Sequence, residues 1–359
     1  MHMPIVRAAA RALIPAAASL KTIALALIGA ALALWIRLPL PWFTGPLIMV
    51  AGFSMSGLRV AALPYAREAG QWVIGFALGL YFTPEIVRLV VRLAPWIGVA
   101  VVFTLFLGLA GAGVLKYLSG ESWTTSFFAA AIGGAAEMAT QAERHGGGVD
   151  RVAAAHSLRI MLVALVVPFG LQWWGVQGTD PYTPAASAFD PAGFAVMVAA
   201  TGGGAVVLTR LNIPNAFMLG PLVTAAAITA GGFAWSALPT PVLNAGQLLI
   251  GIALGSRFAP EFFRAAPRYL AAVALLTLTY LAASAVFGAW LAQAAGLATA
   301  TAVLATTPGG IGEMAITAKV LKLGAPIVTA FHSIRLTLIV LVIGALYRAA
   351  RWIQRRRAA

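Results

Sequence analysis

The sequence predicts an all-α polytopic membrane protein of two inverted repeats, each with about five crossings plus a re-entrant or broken Gly-rich segment, 10–12 transmembrane segments in all. Three observations lead there. Of 359 residues 61% are apolar and 9% charged, and the chain is covered by apolar runs close to the roughly 20 residues that cross a bilayer. The second half repeats motifs of the first at a fixed offset of 176 residues. Finally, Lys and Arg divide unevenly between the membrane faces only if one segment per half fails to cross.

Residues 1–21 are a basic N-terminal segment. Its Ala-rich start suggests a signal peptide, but the apolar run from Thr22 to Ile36 continues to Trp42 and beyond, as a first crossing does. Repeat 1 covers 22–172, with apolar segments near 20–36, 40–57, 64–82, 93–115, 122–141 and 152–172. The third carries Gln71 with Gly75 and Gly79 four residues apart, a spacing that suits close helix packing. Pro84–Glu85 closes it with the chemistry of a helix start. The fifth holds GGAAEMATQA, from Gly133, and the sixth holds HSLR, from His156.

A linker over 173–191 contains Asp180, Pro181, Pro184 and Asp190 and no basic residue, and reads as non-cytoplasmic. Repeat 2, 192–347, has segments near 192–210, 213–232, 240–258, 267–291, 297–317 and 326–347. Its third, AGQLLIGIALGSRFAPE with Gln247, is identical to Ala69–Glu85 at 11 of 17 positions. GGIGEMAITA from Gly309 and HSIR from His332 keep the same offset. A basic tail, 348–359, ends the sequence.

If all twelve segments cross, the basic residues split 11 to 11 across the two faces. If the fifth segment of each half instead returns to its own side, the split is 17 inside to 5 outside, which places both termini in the cytoplasm. Five crossings per half is odd, so the second half enters the bilayer upside down. Gly133, Gly134, Pro308, Gly309 and Gly310 would supply the helix break.

The net charge of +14 is thinly spread over short loops and the tail, the pattern of topology signals rather than of a nucleic-acid groove. There is no Cys, and His2, His145, His156 and His332 are too scattered for a metal site. No metal or cofactor is therefore expected. The expected partners are the lipid bilayer and a small solute, with a homo-oligomer left open.

Arg335 lies nine residues past Pro326, so about 13–14 Å along its helix and near mid-bilayer. An isolated arginine there costs about 2.5–3.5 kcal/mol, so it must face a partner, a cavity or a ligand. His332 shares its face, and His156 with Arg159 repeat the pair. Two readings stand side by side. Glu137 and Glu313 neutralise Arg159 and Arg335 as buried structural pairs. Alternatively, the two Glu/His/Arg sets line one central site, where the arginines bind an anion and a glutamate or histidine exchanges a proton. Gln71 and Gln247 add hydrogen-bonding groups for a solute or sodium ion.

Paired GGxxEMA and HSxR motifs in a Gly/Ala-rich, duplicated chain resemble the bacterial AbrB-type membrane protein family, over about Thr22 to Tyr347. The resemblance implies an inner-membrane protein with a duplicated domain and, from the regulator name, an effect on gene expression. The family also carries an ammonia monooxygenase label. Metal oxygenases need grouped His and carboxylate ligands, whereas two intramembrane arginines repel a metal cation, so no enzyme is expected. The expected function is secondary transport of a small anionic organic solute coupled to protons or sodium. The alternative is a membrane-bound regulator of gene expression acting through a partner protein.

Overall fold

The computed structural model describes residues 16–57, 60–179, 182–186, 188–258 and 266–358. Most of the basic N-terminal segment and the Pro260–Glu261 pair lie outside them. Among the described residues the chain forms fourteen α-helices and no strands. The first seven are α1 (Ala16–Trp35), α2 (Pro41–Met55), α3 (Ala66–Gly79), α4 (Pro84–Ser119), α5 (Trp123–Ala130), α6 (Ala135–Arg144) and α7 (Val149–Trp173). The second seven are α8 (Pro191–Arg210), α9 (Ala216–Ala230), α10 (Thr240–Gly255), α11 (Pro267–Ala295), α12 (Thr299–Thr306), α13 (Ile311–Val320) and α14 (Ala325–Ala358). Six of them, α1, α4, α7, α8, α11 and α14, are long and apolar enough to cross a membrane.

Helix starts follow local chemistry. The apolar pattern predicts the fourth segment from 93, but α4 begins at Pro84 because Thr83 caps it and Pro84 supplies the fixed φ of a first helical residue. The added turns carry Arg88 and Arg92, and Arg88 pairs with Glu85 at 3.3 Å, so a hydropathy reading passes over them. Asp190 caps α8 by accepting from Gly193 N.

Each fifth segment is two short helices. At 1.5 Å per residue the 8-residue α5 and 10-residue α6 span about 12 and 15 Å, half of a roughly 30 Å hydrocarbon core. They fold back on each other: Gly148 N, just past α6, donates to Thr125 Oγ1 at the start of α5, 2.9 Å away. In the α12–α13 hairpin Thr301 lies likewise against Gly324. The segment is thus a re-entrant hairpin and not an unwound crossing helix. Thr125→Val should leave the Gly148 N–H without its partner and cost about 1 kcal/mol, read as a lower thermal unfolding midpoint.

The two hairpins enter from opposite ends of the bundle. α14 starts beside the mouth of the α12–α13 hairpin, and 22 residues later Tyr347 bonds Thr124 (2.7 Å) and packs on His145 (4.6 Å) at the mouth of the other. That separation is about 33 Å, a membrane thickness. α7 makes the reverse journey, so that Gly178 N, just beyond it, donates to Leu321 O at 3.0 Å. The linker is pinned there too, with Ala185 N donating to Leu80 O at 3.0 Å.

Helices α4–α7 and α11–α14 pack together as a hairpin bundle, and α1–α3 with α8–α10 form a second, scaffold bundle. In the scaffold, α3 lies on α9 and α10 on α2. The glycines predicted to pack do so: a Cβ on Gly75 would strike Met218 O, and one on Gly251 would lie 2.6 Å from Phe43 O.

Candidate functional site

α5 ends at Ala130 and α12 at Thr306, halfway through the protein. A helix that stops there exposes carbonyls with no intrahelical partner, and no lipid group can satisfy them. The HSxR motif does so. His156 Nε2 donates to Phe128 O (2.9 Å) and Arg159 Nη1 to Ala131 O (3.0 Å). In the second half His332 Nε2 donates to Leu304 O (2.9 Å), while Arg335 reaches Thr307 O (2.8 Å), Gly309 O (3.1 Å) and Thr306 O (3.4 Å). Both arginines are 4% exposed.

Each arginine also donates to the histidine one turn before it: Arg159 Nη2 to His156 Nδ1 (2.8 Å) and Arg335 Nη2 to His332 Nδ1 (3.0 Å). A guanidinium has no acceptor, so both Nδ1 atoms accept and the single ring proton sits on Nε2. These rings are neutral positioning groups. A proton added at Nδ1 would break the contact with arginine.

The buried glutamate–arginine pair is corrected. Neither Arg159 nor Arg335 has a carboxylate among its hydrogen-bond partners. Glu137 and Glu313 are instead the third residues of α6 and α13 and fold back over the N-cap glycines, Gly134 and Gly310. The Glu313 carboxylate thus lies over the first turn of α13. A helix N-terminus offers amides and a positive dipole end, and the arginines are already held by carbonyls. A Cβ on Gly134 or Gly310 would strike the glutamate oxygen and push the carboxylate away from its place over the helix start.

The hairpin tips meet at a cavity of about 100 Å³ on the seam between the bundles. Of the residues singled out in the sequence, Gln71, Arg159, Glu313, His332 and Arg335 line it. So do the helix-break residues Gly133, Gly134, Pro308, Gly309 and Gly310. Glu137, His156 and Gln247 do not; His156 is buried behind Arg159, and Gln247 is 4% exposed within α10.

Three lining residues escape sequence reading: Arg67, Asn215 and Arg257. Asn215 accepts from Gln71 Nε2 at 3.4 Å. Arg67 and Arg257 sit at the ends of α3 and α10, where an arginine looks like any topology signal. The offset of 176 puts Leu243 and Tyr81 at their counterparts, so no repeat marks them. Among the described residues four arginines and one carboxylate, Glu313, therefore line the cavity. Arg159 Nε is buried with no hydrogen-bond partner. Such a wall attracts an anion and repels a cation.

A sequence profile described as transition state regulatory protein AbrB matches residues 57–351. A Bacillus subtilis (strain 168) protein, YhjN, is 24% identical over 341 residues, covering 86% of each chain. An Escherichia coli (strain K12) protein named as a regulator, AbrB, is 25% identical over 317 residues, covering 87% of this chain and 90% of that one. The matched span runs from just past α2 far into α14 and takes in both hairpins with their arginines, and the chain belongs to the AbrB family.

Proposed function

We propose that the protein is a secondary transporter of a small anionic organic solute. The observation that carries this reading is the single cavity where four arginines and one carboxylate meet between two opposed hairpin tips. Midplane sites on broken backbone between duplicated halves are the usual geometry of such transporters. The two halves act as inverted repeats in a bacterial inner membrane, with both termini in the cytoplasm, as the basic-residue split favours.

In that orientation the solute enters from the cytoplasmic side. Arg67 lies at the end of α3 away from the linker, and Asn215 and Arg257 share its cavity. The opposite end, where the linker crosses Leu80 and Leu321, is the closed extracytoplasmic side. Rocking of the hairpin bundle against the scaffold opens it in turn. Glu313 is the proton carrier, since it alone among the paired carboxylates and histidines lines the cavity without a locked hydrogen-bonding role toward arginine.

Purified protein in proteoliposomes should accumulate a short organic anion under a proton or sodium gradient, and Glu313→Gln should bring proton-driven uptake to background while leaving exchange of the anion. If no organic anion moves under either gradient, the reading is wrong. The regulator names of the family and of the E. coli relative support a second reading, in which occupancy of the cavity is signalled to a cytoplasmic partner. Repeated co-purification of one regulatory protein, lost with Arg335→Gln, would favour it.

A further inference from the structure

The duplicated motif accounts for one guanidinium per half, Arg159 and Arg335, both carried by the hairpin bundle. Arg67 and Arg257 are a second pair, carried by the scaffold bundle and standing outside the duplication. All four line the one cavity, Arg159 and Arg335 from α7 and α14, and Arg67 and Arg257 from the ends of α3 and α10. The cavity thus has two cationic poles, on two bodies that touch only sparsely.

The rest of the wall is largely aliphatic, from Ile132, Ile160, Met218, Ile250, Leu254 and Leu336, and no Phe, Tyr or Trp lines it among the described residues. There is no stacking platform for a base or a sugar ring. The cavity, about 100 Å³, is small, which suits a ligand with a few carbon atoms between its charged ends. A single anionic group can satisfy one pole only. It would leave the other pair of guanidiniums mutually repelling in a poorly solvated site.

We propose that the cavity takes a short, unbranched aliphatic dicarboxylate, with one carboxylate on Arg159 and Arg335 and the other on Arg67 and Arg257. The inference rests on the reading of the cavity as an anion site. The unpartnered Nε of Arg159 and the guanidiniums of the scaffold arginines in the cavity wall supply the donors, bidentate contacts being the strongest a carboxylate makes. Because the two carboxylates hold different bundles, the ligand ties scaffold to hairpins. A monocarboxylate bound at one pole does not.

Isothermal titration of the full-length protein in lipid nanodiscs tests this with malonate, succinate and glutarate against butyrate and inorganic phosphate. At least one dicarboxylate is expected to bind about tenfold or more tightly than butyrate and phosphate. Arg67→Gln with Arg257→Gln should collapse that ratio to near one, and the Lys versions, which keep both charges, should retain part of it. The proposal is overturned if butyrate or phosphate binds as tightly as the best dicarboxylate, if the ratio survives the double Gln variant, or if folded protein binds none of them. Selective binding without uptake in proteoliposomes would leave this inference standing and remove the transport reading. Uptake of monocarboxylates without dicarboxylate preference would do the reverse.

Discussion

Arg335→Leu is expected to lower stability by about 2–4 kcal/mol and to bring solute uptake to background, whereas Arg159→Leu costs about 1–2 kcal/mol less in stability with the same loss of uptake. The repeated motif makes these residues look equivalent, but their surroundings differ. Arg335 holds Thr307 O and Gly309 O at good distance and Thr306 O at 3.4 Å, while Arg159 holds Ala131 O. Each carbonyl freed at this depth has no water to turn to, although hydrogen bonds in membrane interiors average about 0.6 kcal/mol because the unfolded chain finds partners too. Both variants lose the bond to histidine, so the difference isolates the carbonyls of the α12 end. Thermal unfolding in one detergent, with both variants side by side, reads it. Equal losses would show that the α12 carbonyls find other donors, and the capping role assigned to Arg335 would fail. Arg335→Lys keeps the charge but offers no planar fork, so it should recover part of the stability and little of the uptake.

Much of this fold was readable from the sequence because the information is local or repeated. The Gly-rich break, the hairpin and the HSxR helix recur at one offset, and the count of basic residues separates a returning segment from a crossing one. What the sequence withheld was the choice of partner. Glu137 and Arg159 are the natural pair on charge alone, yet the arginine goes to the carbonyls of the broken α5 and the glutamate to the start of α6. That choice depends on where a helix stops in three dimensions, which no spacing encodes. Symmetry misleads at Gln247 for a related reason. Its twin Gln71 reaches Asn215, the left-handed residue that precedes α9, but the residue in the same place before α2 is Leu40, so one glutamine faces the cavity and the other is buried in α10. Arg67 and Arg257 escaped because arginines at helix ends are read as topology signals, and only the converging ends of α3 and α10 give them a second meaning.

Gly75→Ala is expected to destabilise the protein by about 1–3 kcal/mol, while Gly98→Ala leaves it unchanged or raises its stability by up to about 1 kcal/mol. Both glycines lie inside helices, where alanine is intrinsically the better residue. At Gly98 a methyl group meets nothing within 4 Å, so propensity decides. At Gly75 it meets the backbone of α9, striking Met218 O and lying 3.3 Å from Leu222 N, and backbone cannot rotate out of the way as a side chain can. The two helices must then part by a fraction of an ångström. Their separation sets the Gln71–Asn215 contact, already 3.4 Å long, and the position of Arg67 one helix turn further along α3. Gly251→Ala, which would meet Phe43 O on α2 at 2.6 Å, should lose comparable stability. It does so at a seam whose glutamine, Gln247, does not reach the cavity. Gly75→Ala should therefore weaken anion binding more than Gly251→Ala at matched loss of stability, a comparison that unfolding midpoints and nanodisc titrations on the same preparations can make. If the two variants weaken binding equally, the Gln71–Asn215 contact adds nothing to what the arginines at the ends of α3 and α10 supply.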